Sequence, residues 1–136
     1  MDMLEVVTVG FPFCGFKVLA GLTLGGRVGA AFVVWGALDC VVNAANLASL
    51  LAARRRAAPA CLFSFAARAL RGSSPRWQEL GNSLDVLVSF VIVAAMIGLG
   101  RIPTLPPRAL AAWNACVILN VLGAGLGRVG ASVLAL

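Results

Sequence analysis

A chain of 136 residues that is 61% hydrophobic and 12% charged, with a mean hydropathy of +0.99, is too apolar for an ordinary soluble domain, and its charges collect in short clusters between apolar runs. The complete absence of His excludes His-ligated haem, His-containing metal sites and a His general base, while Cys14, Cys40, Cys61 and Cys116 stand singly with no C-x-x-C pair. The net charge of +6 does not point to nucleic acid, because Arg54, Arg55, Arg56, Arg68, Arg71 and Arg76 share one segment between apolar runs, where membrane topology accounts for them.

The expectation is therefore one all-α, polytopic helical membrane domain. It has four transmembrane helices at about 6–24, 28–52, 84–100 and 109–127, and a basic cytoplasmic loop at 53–81 that holds a short amphipathic helix. The opening MDMLEVV carries two acids and no base, the reverse of a signal-peptide start, so no cleavage is expected. From Phe11 to Ala52 the chain is apolar apart from Lys17, Arg27, Asp39, Asn43 and Asn46, about twice the length that one span needs. Leu24-Gly25-Gly26-Arg27 is the natural break, because two glycines weaken the helix and the arginine seeks headgroups. A helical hairpin results. In the alternative, Phe11 to Gly26 lies in the interface as an amphipathic lead-in and three spans remain. Lys17 decides between the two, since a lysine at the centre of a span costs about 2.5–3.5 kcal/mol unless paired. Counted from the turn, Lys17 and Asp39 differ by only about 6 Å in depth, a gap that a lysine side chain closes.

The stretch Val28 to Ala52, stopped by Arg54, Arg55 and Arg56, is the one around which the chain is expected to organise. Asp39, Asn43 and Asn46 recur at i, i+4 and i+7, so a carboxylate and two amides share a helical face that must look at protein or trapped water. Lys17 is the preferred partner of Asp39, with Asn43 or Asn114 as fallback donors. Two small-residue ridges, Gly21-Gly25-Gly29 and Gly123-Gly127-Ala131, are expected to let helix backbones approach closely, unless the first falls in the turn.

Ala60 to Arg71 sets Ser64, Arg68 and Arg71 on one face and gathers Leu62, Phe63, Ala66 and Leu70 toward another. It is expected to lie in the cytoplasmic interface, with Arg54, Arg55, Arg56, Arg68 and Arg71 near headgroups and Trp77 in the aromatic belt; a loop helix packed on the bundle is the alternative. Gly72-Ser73-Ser74-Pro75 reads as a turn, and Asn82 with Asp85 three positions on reads as the N-cap of the next span. Ile102 to Pro107 should form a stiff extended crossing, and the last span carries Trp113, Asn114 and Asn120.

No H-E-x-x-H, G-x-S-x-G, Walker or Rossmann signature occurs, and Asp39 is the only acid read as buried, which is a thin basis for catalysis. No enzyme activity, cofactor or metal is expected, and the partners are the lipid bilayer and either further copies of the chain or other membrane subunits, not nucleic acid. The expected role is a structural or accessory subunit in the bacterial inner membrane. The alternative is a small oligomeric channel or transporter with Asp39, Asn43 and Asn46 along its path.

Overall fold

The fold is all-α. In the computed structural model the backbone is described for residues 2–72 and 74–134, and side-chain surroundings for 3–72 and 74–126. Helix α1 is a continuous rod of three stretches, Asp2–Glu5, Val6–Gly10 and Phe11–Leu24, the middle one wound as a π-helix. Then follow α2 (Gly26–Ala53), α3 (Leu62–Arg71), α4 (Pro75–Gly98), a 3-10 turn at Ile102–Thr104 and α5 (Pro107–Leu134). Met3–Leu24, Gly26–Ala53, Pro75–Gly98 and Pro107–Leu126 are each long and apolar enough to cross a membrane.

The hub is α1 rather than α2. Its most apolar window is 56% buried, against 22%, 28% and 11% in the other three, and it packs against α2, α4 and α5. α1 is thus packed within the bundle, and its stretch Met3–Leu24 is long and apolar enough to cross a membrane. Phe13, Phe16, Leu19 and Ala20 of α1 meet Ile92 and Met96 of α4, Leu105, and Trp113 of α5 in a single apolar core. Aromatic rings lock it: Phe16 lies 4.8 Å from Trp113 and Phe13 meets Phe90 edge-on at 5.5 Å. In lipid, where burial away from water gives no net drive between helices, such packing is what holds the bundle.

The α1–α2 hairpin turns at Gly25 and Gly26, with φ of +65° and +58° that glycine adopts without steric cost. Gly21 and Gly29 then face each other so closely that a Cβ on Gly21 would lie 2.6 Å from the Gly29 carbonyl oxygen. The first ridge is thus divided: its middle member makes the turn and its outer members make the close approach. Gly36, which belongs to no repeat, does the same deeper in, since a Cβ there would lie 2.8 Å from the Cys14 carbonyl oxygen and 3.0 Å from Lys17 Cβ. At the other end Gly123 abuts the Thr8 side chain. Gly127 and Ala131 lie outside the residues whose side-chain surroundings are described.

Pro12 explains the π-helical stretch before it. Proline offers no N–H and its ring crowds the carbonyl four residues back, so the helix widens and the Thr8 carbonyl is left without an intrahelical donor from residue 12. Asn120 of α5 donates Nδ2 to that carbonyl at 3.2 Å. One proline thus creates the acceptor that ties the last span to the first.

The helix that carries the third expected span begins at Pro75, before the expected span start at about 84. Pro75 takes the first turn of α4 after Ser74, and the helix runs unbroken through Gly81 and Asn82 to Gly98, so Asn82 caps nothing. Gly81 is needed there for closeness: a Cβ would lie 2.7 Å from the Phe63 carbonyl oxygen, where α3 packs antiparallel on α4. The crossing at Ile102–Thr104 is a 3-10 turn rather than an extended strand.

Candidate functional site: a buried acid–base–acid cluster

Three charged side chains meet inside the bundle. Lys17 of α1 donates Nζ to Asp39 Oδ2 of α2 and to Asp85 Oδ1 of α4, each at 2.6 Å. Lys17 is 0% exposed, Asp39 1% and Asp85 5%, so all three charges are buried within the protein. The Lys17 ammonium also sits 4.4 Å from the centroid of the Trp35 ring, a face that attracts a cation. Trp35 in turn meets Phe63 edge-on at 5.2 Å, which couples the cluster to α3.

Depth is what brings the cluster together. Asp39 lies about 20 Å along α2 from its hairpin end, and Asp85 about 20 Å along α4 from Gly98, so with both helices packed on α1 the two carboxylates come level. Lys17 starts closer to the turn and reaches down with its four-carbon stem.

Asp85 is a correction to the sequence reading, which makes it a capping acid. Its position ten residues inside α4 places it far from the helix start, and its own backbone carbonyl serves Ser89 Oγ at 2.7 Å. The cluster therefore sets two carboxylates against one ammonium, and with all three ionised it is not neutral.

Asn43 and Asn46 share the buried face with Asp39 but do not form a continuous lining. Asn43 Nδ2 donates back to the Asp39 carbonyl at 2.9 Å and contacts Cys14 Sγ at 3.5 Å. Asn46 accepts the Ala58 N–H at 2.9 Å and donates to the Pro59 carbonyl at 3.4 Å. Asp39 Oδ1 accepts the Leu62 N–H at 2.8 Å. These bonds fold residues 54–61 back along α2, about 20 Å from its C-terminal end to the level of Asp39. Backbone that leaves a helix and packs against protein must have its polar groups satisfied, and Asn46 and Asp39 do this for the Ala58 N–H, the Pro59 carbonyl and the Leu62 N–H. Asn114, the fallback donor, is exposed on α5 and takes no part.

The basic residues divide into distinct roles. Arg54 ends α2 in the left-handed conformation with φ of +54°, Arg55 is exposed, and Arg56 pairs with Glu5 at 2.6 Å across to α1. Arg68 and Arg71 are exposed on α3, with the Arg71 guanidinium 5.2 Å from the Trp77 ring. Ser64, grouped with those arginines by its spacing, is instead buried and donates to the Gln78 carbonyl at 2.8 Å. Cys61 beside it is buried, and that burial pushes its thiol above the ordinary value of 9.0. All four cysteines are free thiols.

A cavity of about 30 Å³, room for a water or two, lies between the accessible Arg56–Glu5 pair and the buried cluster. Asp39, Asp85, Asn43, Asn82, Cys14 and Cys61 contribute to its walls. On its other side the aromatic core closes the bundle. Among the described residues no three His, Cys, Asp or Glu side chains gather as a metal-binding group. No protein-family model, curated protein or solved structure matches this chain.

Proposed function

We propose that this chain is a non-enzymatic integral membrane protein that serves as a structural or accessory subunit of a membrane assembly. It resides in the bacterial cytoplasmic membrane with the basic segment 53–81 on the cytoplasmic side, as the arginine excess there favours. The observation that carries the role is where the intramembrane polar groups are spent. Lys17, Asp39, Asn43 and Asn46 bond to one another and to the returning segment at Ala58, Pro59 and Leu62, which is the work of a clamp. Purification in mild detergent with mass measurement should give the chain together with one further membrane protein at fixed stoichiometry. A monomer or a pure homo-oligomer would overturn the accessory role. A reporter active only outside the cytoplasm, inserted after Gly72, should stay silent; a strong signal would overturn the orientation.

One observation favours a second reading, an oligomeric channel or transporter: the small cavity that ends on Asp39 and Asp85. It predicts a proton or cation flux in proteoliposomes that Asp85→Asn abolishes. Absence of flux from the wild-type chain would remove it.

A further inference from the structure

The end of α4 nearest α3 carries a juxtaposition that neither role above uses. Arg76, Trp77, Glu79, Leu80 and Ser83 line a groove along α4. Arg71 reaches it from α3 by stacking 5.2 Å from the Trp77 ring. Arg71 and Arg76 are both exposed, and among the described residues neither has an acidic partner within ion-pair distance. Two guanidinium groups beside one exposed acid leave the groove positively charged. Below Arg76 the same helix presents Leu80, Leu84, Leu87 and Val91, at 47%, 45%, 59% and 59% exposure. Their spacing of four, three and four residues makes one stripe that runs from the groove into the span.

We propose that this corner binds one anionic phospholipid, its phosphate held by Arg71 and Arg76 and one acyl chain laid along Leu80, Leu84, Leu87 and Val91. Charge selects the headgroup, because guanidinium matches phosphate in a bidentate geometry and stays charged at the interface. The stripe selects a lipid over free phosphate, since an ion has no use for four exposed aliphatic side chains continuous with its site. Trp77 sits at the junction, where an amphipathic ring is stable at headgroup level. The proposal is independent of the role assigned to the buried cluster.

The test is native mass spectrometry of the intact chain in detergent, titrated with phosphatidylglycerol or phosphatidylcholine. The wild type should retain phosphatidylglycerol in preference, and Arg71→Gln with Arg76→Gln should weaken that retention about 30-fold, from the surface attraction of two arginines. Arg101→Gln, exposed at the far end of α4, should retain it like the wild type. Equal retention of the two lipids by the wild type would overturn the proposal, as would full retention by the double variant. An equal loss in Arg101→Gln would reduce the effect to net charge, and displacement of the lipid by millimolar inorganic phosphate would make this a free-anion site.

Discussion

Replacing Lys17 by Met should be the most damaging single change in the buried cluster, and the order of the other losses follows from counting charges and acceptors. Lys17 is the one cation bonded to both Asp39 and Asp85, so Lys17→Met strands two carboxylates in a bundle interior. Removing one partner of a buried pair costs about 3–5 kcal/mol, a shift of roughly 150- to 5,000-fold in the unfolding equilibrium. Asp85→Asn leaves Lys17 and Asp39 as a neutral pair and keeps an amide oxygen for the lysine, so its cost is that of one weakened hydrogen bond, about 0.5–1.5 kcal/mol. Asp39→Asn costs more, about 1.5–3 kcal/mol, because one amide oxygen must replace two carboxylate oxygens that serve Lys17 and the Leu62 N–H. Lys17→Met with Asp39→Asn recovers only part of the loss, since Asp85 remains unpaired. The triple change, with Asp85→Asn added, recovers most of it. Unfolding in detergent, followed by circular dichroism against heat or SDS, measures each term of the cycle. The reasoning fails if Lys17→Met costs no more than Asp85→Asn, or if the triple variant is no more stable than Lys17→Met alone.

The remaining expectations concern the close approaches and the returning segment. Gly36→Val should wedge α1 from α2 and cost about 1–3 kcal/mol, whereas Gly98→Ala, which faces open space, should be neutral or slightly stabilising; equal effects in the same unfolding assay would deny the close approach. Asn46→Leu should orphan the Ala58 N–H and free the returning segment, so that maleimide labels Cys61 faster in a chain whose other cysteines are alanine; an unchanged rate would show that the segment is held by other means. Cys61 also gives a pH signature. Because the folded thiol holds its proton more tightly than the unfolded one, its contribution to stability is complete below 9.0 and is lost as pH rises from there through the folded value, so wild type should lose more stability in that window than Cys61→Ala. Parallel pH curves for the two chains would exclude the effect.

How much was legible depends on whether a feature leaves a local mark. The hairpin turn was legible because Gly25-Gly26-Arg27 interrupts an apolar run too long for one span, and the Lys17–Asp39 contact because both charges lie at similar depth from that turn. Asp85 was hidden by its neighbours: Asn-Ser-Leu-Asp before an apolar run has the form of a helix start, and only the tertiary structure shows that Pro75 had already begun the helix. The partners of Asn46 were invisible for another reason. A carboxamide that binds backbone of an irregular segment depends on where that segment travels, and residues 54–61 have no periodicity to report it. Gly36 stood in no repeat, so its spacing carried no message. Pro12 was visible but its consequence was not, because the donor for the Thr8 carbonyl lies more than a hundred residues away in Asn120.

The three charged residues also lie far apart in the order of synthesis, and that order has a consequence for insertion. Asp39 follows Lys17 by 22 positions and Asp85 follows it by 68. At about 5–20 residues per second, the lysine waits roughly 1–4 s for its first carboxylate and roughly 3–14 s for its second. The first hairpin can therefore enter the bilayer as a neutral unit, Lys17 already balanced by Asp39, before α4 has been made. The third charge arrives later, when the helix bearing it docks against an assembled hairpin. A nascent chain ended at Ala53 should consequently integrate into membranes, and Asp39→Asn should impair that integration even though Asp85 would supply a partner in the finished protein; equal integration of the two truncated chains would show that the lysine needs no companion on entry.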